Sequence, residues 1–444
     1  MRIQLSDHFT YSRLIRFTFP SIIMMIFTSI YSVVDGLFIS NFVGKTPFAA
    51  INLIWPFLMC FGVVGFMLGT GGSALISRSL GEGKKERANQ EFSLLIYAAI
   101  VLGIILTALG IAVMRPVSIL LGAEGELVEM CVLYGNIVMA AQVAFILQSM
   151  FQTFFITAEK PKLGLVVTVA AGVTNMVLDA LFVAVLRWGL AGAALATAFS
   201  QVVGGILPLV YFAQKNSSLL RLTRTRWNEK ALLKACTNGS SELMTNLSSS
   251  VVSVLYNLQL LRLAGEDGVA AYGVIMYANF VFIAIFLGYS IGVAPVVGFH
   301  YGADNTAELK SLFRKSLVLM LLAGSGMLVL GQVLALPVAK IFVGYDAALL
   351  ELTRHAFRLY AASFLLMGFN IFGSAFFTAL SNGLVSAIIS FMRTLVFQVA
   401  AILLLPLLIP GTDAIWLAVI AAEFLGLVVT VYFFLKMRKT YHYA

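Results

Sequence analysis

Charge is what this sequence has least of. Asp, Glu, Lys and Arg make up 11% of its 444 residues, where a soluble domain carries about 25%. A mean hydropathy of +0.97 leaves too little polar surface for a water-soluble globule, so that class is excluded. Cysteine is almost as scarce. Cys60, Cys131 and Cys236 lie in or beside apolar runs, which rules out a disulfide framework and points to no metal site. The histidines, His8, His300, His355 and His442, are scattered, and no Ser-His-Asp or Cys-His grouping suggests an enzyme. No nucleotide-binding motif is present. Gly81-Glu82-Gly83-Lys84-Lys85 lacks the G-x-x-x-x-G-K-[ST] order and reads as a turn, so an ATP-powered pump would need another subunit. Gly69-Thr70-Gly71-Gly72-Ser73 fits close helix packing or a helix break better than phosphate binding. The net charge of +9 sits in short loops, where it sets topology instead of recruiting nucleic acid.

What the chain has in abundance is apolar runs of spanning length. They fall at about 14–40, 48–78, 92–114, 128–158, 163–187, 189–213, 231–262, 269–299, 311–335, 350–380, 384–409 and 413–436. The first follows Arg13 and Arg16 without a small-residue cleavage pattern, so it reads as a span and not as a signal peptide. The expected architecture is an all-α membrane protein of twelve transmembrane helices. Residues 1–213 form one six-helix lobe, 214–230 a cytoplasmic linker and 231–444 a second six-helix lobe.

The two lobes read as copies at an offset of 221 residues, without a gap. Gly44-Lys45-Thr46-Pro47-Phe48-Ala49-Ala50 falls on Gly265-Glu266-Asp267-Gly268-Val269-Ala270-Ala271. Gly71 falls on Gly292, Gly81 on Gly302, Pro116 on Pro337, and Thr157-Ala158 on Thr378-Ala379. Lys and Arg then orient the ladder. Arg2, Arg13, Arg16, Arg78, Lys84, Lys85, Arg87, Lys160 and Lys162 fall on one side with the basic linker and Lys310, Arg314, Lys315, Lys436, Arg438 and Lys439. The other side has few, Lys45, Arg115, Arg187, Arg262 and Lys340 among them. The positive-inside rule places both termini and the linker in the cytoplasm. With an even number of spans each, the copies share one orientation and are related by a pseudo-twofold along the membrane normal.

Four acids interrupt apolar spans: Asp35, Asp179, Glu242 and Glu423. A lipid-facing carboxylate costs roughly 2.5–3.5 kcal/mol on insertion scales, so each is expected to face protein or water. Burial favours the protonated form unless a cation pairs with it, which makes such an acid a proton carrier. From the rise per residue, Asp35 lies roughly 8 Å from the outer end of the first span, and Asp179 and Thr197 roughly 12 Å from the outer ends of the fifth and sixth. Each has a polar companion one turn away: Tyr31, Asn175 and Gln201 respectively. This level can hold a proton, or a sodium ion on oxygen ligands from Asp35, Asn175, Asp179 and Thr197. The repeat serves as a control, because Asp35 maps to Tyr256, Asn175 to Val396 and Asp179 to Ala400. The second copy lacks the carboxylates, which argues that they serve function more than folding. A buried Asp can also tie helices together through hydrogen bonds. Glu242, about 16 Å into the seventh span, either meets a cationic substrate or ion or hydrogen-bonds Ser240, Ser241 and Ser248. Glu423 and Arg393, on the last two spans, read as a structural ion pair. Pro20 weakens the first span fifteen residues before Asp35; it marks a moving hinge or a static kink.

The arrangement resembles the multidrug and toxic compound extrusion (MATE) family, in particular its MepA-like bacterial branch. The residues that carry the likeness are Pro20 with Asp35, the run ending Arg78-Ser79-Leu80-Gly81-Glu82-Gly83, and Gln152-Thr153-Phe154 before Lys160-Pro161. Asn175 with Asp179 and Gly189-Leu190-Ala191-Gly192-Ala193-Ala194-Leu195-Ala196-Thr197 add to them, and the second half offers Ala414-Ile415-Trp416-Leu417-Ala418 in the matching place. The resemblance implies two lobes in a V around a central cavity. It implies export of cationic or amphipathic organic compounds by an antiporter, with inward H⁺ or Na⁺ as the coupling ion and no other cofactor. The ion site carries over to Asp35, Asn175, Asp179 and Thr197, with Tyr31 nearby, and Pro20 to a helix that bends as the site titrates. Glu242 resembles an acid proposed for ion coupling in other branches, whose aspartate in the tenth span is absent here, with Asn370 the nearest polar residue. The expected setting is the bacterial inner (plasma) membrane, with drugs and membrane lipids as partners and the chain as a monomer. The alternative function is a flippase for lipid-linked substrates of a related superfold, which would need a cationic cavity. A membrane-embedded enzyme and a passive channel are the remaining rivals.

Overall fold

A computed structural model describes residues 3–444; Arg2 and the side chain of Lys45 lie outside the described set. The described chain is helical with no strand. The first half comprises α1 (Tyr11–Phe42), α2 (Lys45–Gly81), α3 (Lys85–Leu120), α4 (Glu126–Ala140), α5 (Gln142–Thr157), α6 (Pro161–Asp179) and α7 (Gly189–Ala213). The second comprises α8 (Glu229–Gly302), α9 (Thr306–Val343), α10 (Ala347–Ala361), α11 (Phe364–Ala379), α12 (Gly383–Phe391), α13 (Phe397–Leu408) and α14 (Asp413–Tyr441). Nine of the described helices are long and apolar enough to cross a bilayer, and two bent pairs, α4 with α5 and α10 with α11, raise this to eleven. The twelfth is hidden in α8. Its 74 residues would reach about 110 Å, far beyond a hydrocarbon core of about 30 Å. Its backbone leaves helical geometry at Gly265 (φ 61°, ψ −150°), so α8 crosses twice. Gly44, its counterpart in the repeat, also has positive φ, at 109°. This backbone region is cheap only for glycine. Large apolar side chains cover the outside, with Leu120 85%, Leu407 79% and Ile341 78% exposed, as a lipid-facing surface requires.

The runs at 128–158 and 350–380 differ from the straight spans their hydropathy suggests. The first bends by 55° and the second by 47°. At the breaks the hydrogen bonds tighten to i→i+3, from Ala141 N to Val138 O (3.1 Å) and from Ala362 N to Leu359 O (3.1 Å). Ser363 Oγ also donates to the Tyr360 carbonyl (2.7 Å). Such back-bonding and one-turn 3₁₀ geometry bend helices. Ala141 and Ala362 are 221 residues apart, so the bend is part of the repeat. Two π-helical stretches also interrupt spans, Ala180–Val185 directly after Asp179 and Met392–Val396 around Arg393.

The halves meet through glycines paired across the pseudo-twofold. A Cβ on Gly81 would fall on the Phe299 carbonyl, and one on Gly302 on the carbonyl of Arg78; Arg78 and Phe299 are themselves repeat equivalents. Gly71 likewise faces Ala235 and Gly239, while Gly292 faces Thr18. All these approaches lie in the halves of α1, α2 and α8 nearest the chain termini. The N-terminal segment closes the same face. Leu5 N donates to Glu159 Oε1 (2.7 Å) in the first half, and Phe9 N donates to Glu308 Oε1 (2.8 Å) in the second. His8 Nδ1 adds a contact of 2.6 Å to Glu308 Oε2. The molecule is thus sealed on the terminal face. Gly239→Val should open this seam, since overpacking costs about 1–3 kcal/mol. With Cys60, Cys131 and Cys236 replaced, a probe cysteine at the buried Ser77 is expected to label with a water-soluble maleimide about tenfold faster in that variant; equal labelling would show that the seam tolerates the branch.

Candidate ion-coupling site

The first-half site grows from three packed helices. Asp35 stands on α1, Asn175 and Asp179 one turn apart on α6, and Thr197 and Gln201 one turn apart on α7. Gly172 lets α6 approach the Phe27 and Tyr31 rings of α1 closely. Ser200 Oγ donates to the Ala171 carbonyl (2.8 Å), tying α7 to α6. Asp179 is fully buried, and Asn175 and Gln201 nearly so. Asp35 lies beside both Asp179 and Asn175, so the two carboxyl groups are neighbours. Tyr31, one turn before Asp35, packs on the Phe27 ring.

The decisive feature is an imbalance of donors. Asp35 Oδ1, Asn175 Oδ1, both oxygens of Asp179, Thr197 Oγ1 and Gln201 Oε1 are buried without a hydrogen-bond partner among the described residues. Five of these six atoms can only accept while the acids are ionised. Each unmet buried group costs about 1–3 kcal/mol. Two entrants relieve the debt. A proton shared between the neighbouring carboxyls supplies a donor, and a small hard cation uses the oxygens as ligands. The π-helical stretch starts at the residue after Asp179, and such bulges recur where a side chain must be re-aimed for function.

Tyr134 also belongs here and was not singled out from sequence. It is 1% exposed on α4, within reach of Thr197 and of the charges on Asp35 and Asp179. Counting eight residues into α4 puts it about 12 Å from the helix end, the level of Asp179 and Thr197, so the depth argument could have found it. Pro20 is buried in α1, which runs unbroken through it.

The second half places a cavity of about 400 Å³ at a different spot. It is walled by α8, α11 and the π-helical stretch at Met392–Val396, with Thr70 and Ser73 of α2 completing one side. Glu242 lines it, and its carboxylate makes no ion pair or hydrogen bond among the described residues. Ser240 Oγ is engaged with the Thr237 carbonyl (2.7 Å). Tyr256, the repeat counterpart of Asp35, donates to Gln398 Oε1 (2.9 Å) and stacks on Tyr272 at 5.1 Å. Opposite lies a closed network. Arg393 Nε donates to both Glu423 oxygens (2.8 and 3.0 Å), Asn370 Nδ2 donates to Glu423 Oε2 (2.8 Å), and Thr430 Oγ1 donates to Asn370 Oδ1 (2.9 Å). Within this network every charge has its partner, in contrast to Glu242 and to the acids of the first half. Breaking a buried pair by removing one member costs about 3–5 kcal/mol. Arg393→Met is therefore expected to lower the melting temperature by several degrees and Arg393→Met with Glu423→Gln to recover most of it. A single variant as stable as the parent would remove the pair from the fold's support.

The MatE family model matches residues 20–181 and again residues 243–404. The chain belongs to the MatE family. It is similar to the multidrug export protein MepA of Staphylococcus saprophyticus, 23% identical over 384 residues that cover 86% of this chain and 84% of that one. MepA of Staphylococcus aureus strain MRSA252 is 22% identical over 94% of this chain and 92% of its own. Among solved structures, an outward-facing multidrug resistance MATE transporter of the MOP superfamily superposes with a TM-score of 0.91 at 23% identity, covering 98% and 97% of the two chains. A MATE protein in a bent conformation gives 0.88, also at 23% identity. MatE proteins are transporters, so this multi-pass membrane protein is not an enzyme.

Proposed function

We propose that this MatE protein is an antiporter that exports cationic or amphipathic organic compounds in exchange for H⁺ or Na⁺ entering at Asp35 and Asp179. The observation that carries the reading is the cluster of buried carboxylate and amide oxygens on α1, α6 and α7 that has no hydrogen-bond or ion-pair partner among the described residues. Asn175, Thr197, Gln201, Tyr31 and Tyr134 complete its lining. Drug binding is assigned to the second-half cavity, where Glu242 supplies one uncompensated negative charge and Tyr256 and Tyr272 an aromatic wall. The MepA names support this substrate class. Arg393, the one arginine lining that cavity among the described residues, is neutralised by Glu423, which disfavours a phosphate-bearing lipid as cargo.

The ion and the drug compete for one conformational equilibrium, directly or through α1, with Pro20 as the hinge. The ion must prefer one arrangement of the halves, because binding both equally shifts nothing. The proposed setting is the bacterial plasma membrane, with the lobes divided at residues 213 and 231, both termini cytoplasmic by the positive-inside rule and the chain acting as a monomer. Efflux from proteoliposomes under separately imposed pH and sodium gradients tests this. One of the two gradients is expected to drive efflux against a drug gradient. Efflux that ignores both would leave a passive pathway.

A further inference from the structure

A second cleft, of about 870 Å³, lies beside the segment joining the halves and far from both sites above. Its walls come from three places: Arg87 and Gln90 of α3, Arg224 and Trp227 of the joining segment, and Lys230 on the first turn of α8. The joining segment is held in place along α3. Arg221 N donates to Asn89 Oδ1 (2.8 Å), Thr223 N to Ser93 Oγ (2.8 Å), and Thr225 Oγ1 to the Gln90 carbonyl (3.0 Å). Its basic side chains are therefore presented from a fixed backbone.

The charges are unbalanced. Glu91 is occupied, accepting from Arg87 Nε (2.8 Å) and Ser79 Oγ (2.7 Å). Glu229 is the only other acid in the lining among the described residues. Arg226, also lining the cleft, joins Arg224 and Lys230 in being exposed and without an ion-pair partner among the described residues. Trp227 stands 65% exposed at the rim, and Leu233, one turn further along α8, is 67% exposed. Clustered cations with an indole above an apolar flank is the chemistry of a bilayer interface, where tryptophan and basic side chains collect.

We propose that this cleft binds the phosphoryl headgroup of an anionic phospholipid, with its acyl chains along the Leu233 face of α8. Arg224, Arg226 and Lys230 neutralise the headgroup, and Trp227 sits at the glycerol level. Because α3 and α8 belong to different halves, a bound headgroup favours arrangements that keep both walls within reach.

Fluorescence of the purified full-length protein in neutral detergent micelles tests this. Brominated phosphatidylglycerol is expected to quench tryptophan emission at about tenfold lower mole fraction than brominated phosphatidylcholine, and Trp227→Phe removes that component. Arg224→Gln, Arg226→Gln and Lys230→Gln together should weaken phosphatidylglycerol by about 100-fold, at the fivefold or so that each interfacial charge contributes. Lys310→Gln, Arg314→Gln and Lys439→Gln remove the same charge elsewhere on the terminal face and should leave it within about twofold. All six side chains are exposed, and an unchanged melting curve confirms folding. Equal quenching by the two lipids, an unaffected cleft variant, or inorganic phosphate displacing the lipid would each overturn the assignment, the last by giving the site to a soluble anion.

Discussion

Asp179→Asn is expected to make the protein more stable and to end its coupling. The carboxamide brings two N–H donors among buried oxygens that have no hydrogen-bond partner among the described residues, and each unmet group costs about 1–3 kcal/mol. The melting temperature should rise by about 2 °C or more at neutral pH, and the gap should narrow as acid supplies the native pair with its proton. Transport moves the other way. A coupling free energy of about 1–3 kcal/mol makes efflux respond 5–150-fold to the driving ion, and that response should fall to none while drug still binds. Asp35→Asn should behave alike. The double variant should lose no more than either single, since neighbouring groups act as one unit. A destabilised Asp179→Asn protein with intact gradient dependence would mean that the acids merely tie the helices.

Glu242→Gln carries the second large effect, and it separates charged from uncharged ligands. Among the described residues, Glu242 is the one cavity acid without a partner. Two unit charges at 4 Å interact by about 4 kcal/mol at an effective dielectric of 20, of which desolvation returns a part. An organic monocation is expected to bind about 10–100-fold more weakly to the variant, and an uncharged analogue of the same shape within about twofold. Calorimetric titration of the pair decides it. If both weaken equally, Glu242 shapes the cavity and does not read charge.

Much of this was legible in the chain because membranes make hydropathy decisive. Residues 14–40, 48–78 and 92–114 lie inside α1, α2 and α3, and the repeat at 221 matched Gly81 with Gly302, which take equivalent places on the seam between the halves. Gly44 and Gly265 were matched by sequence, and both take positive φ. The polar level of Asp35, Asp179 and Thr197 followed from counting residues along spans, which works because rise per residue is fixed. Tyr134 escaped because the depth count was applied only along spans that carry an acid or its neighbour, although counting along α4 puts it at the same level. The bends at Ala141 and Ala362 have no proline to announce them and arise from local i→i+3 bonding. Asn370 was legible only as the nearest polar residue to an aspartate that this chain lacks. Its actual place, bridging Glu423 and Thr430, depends on how α11 packs against α14, which no periodicity encodes. The cavity around Glu242 is likewise a product of packing between α8, α11 and the π-helical stretch at Met392–Val396.

The account stands on linkage between the buried acids and the drug. Its most direct test is ion release on drug binding, followed in weakly buffered solution with a pH indicator and in parallel with a sodium-sensitive probe. Adding an organic cation to the wild-type protein should expel H⁺ or Na⁺, and adding that ion should weaken drug binding by the same factor, as reciprocity demands. Asp35→Asn and Asp179→Asn should expel neither. Identical release from the wild type and both variants, or drug binding that displaces no ion at any pH, would contradict it.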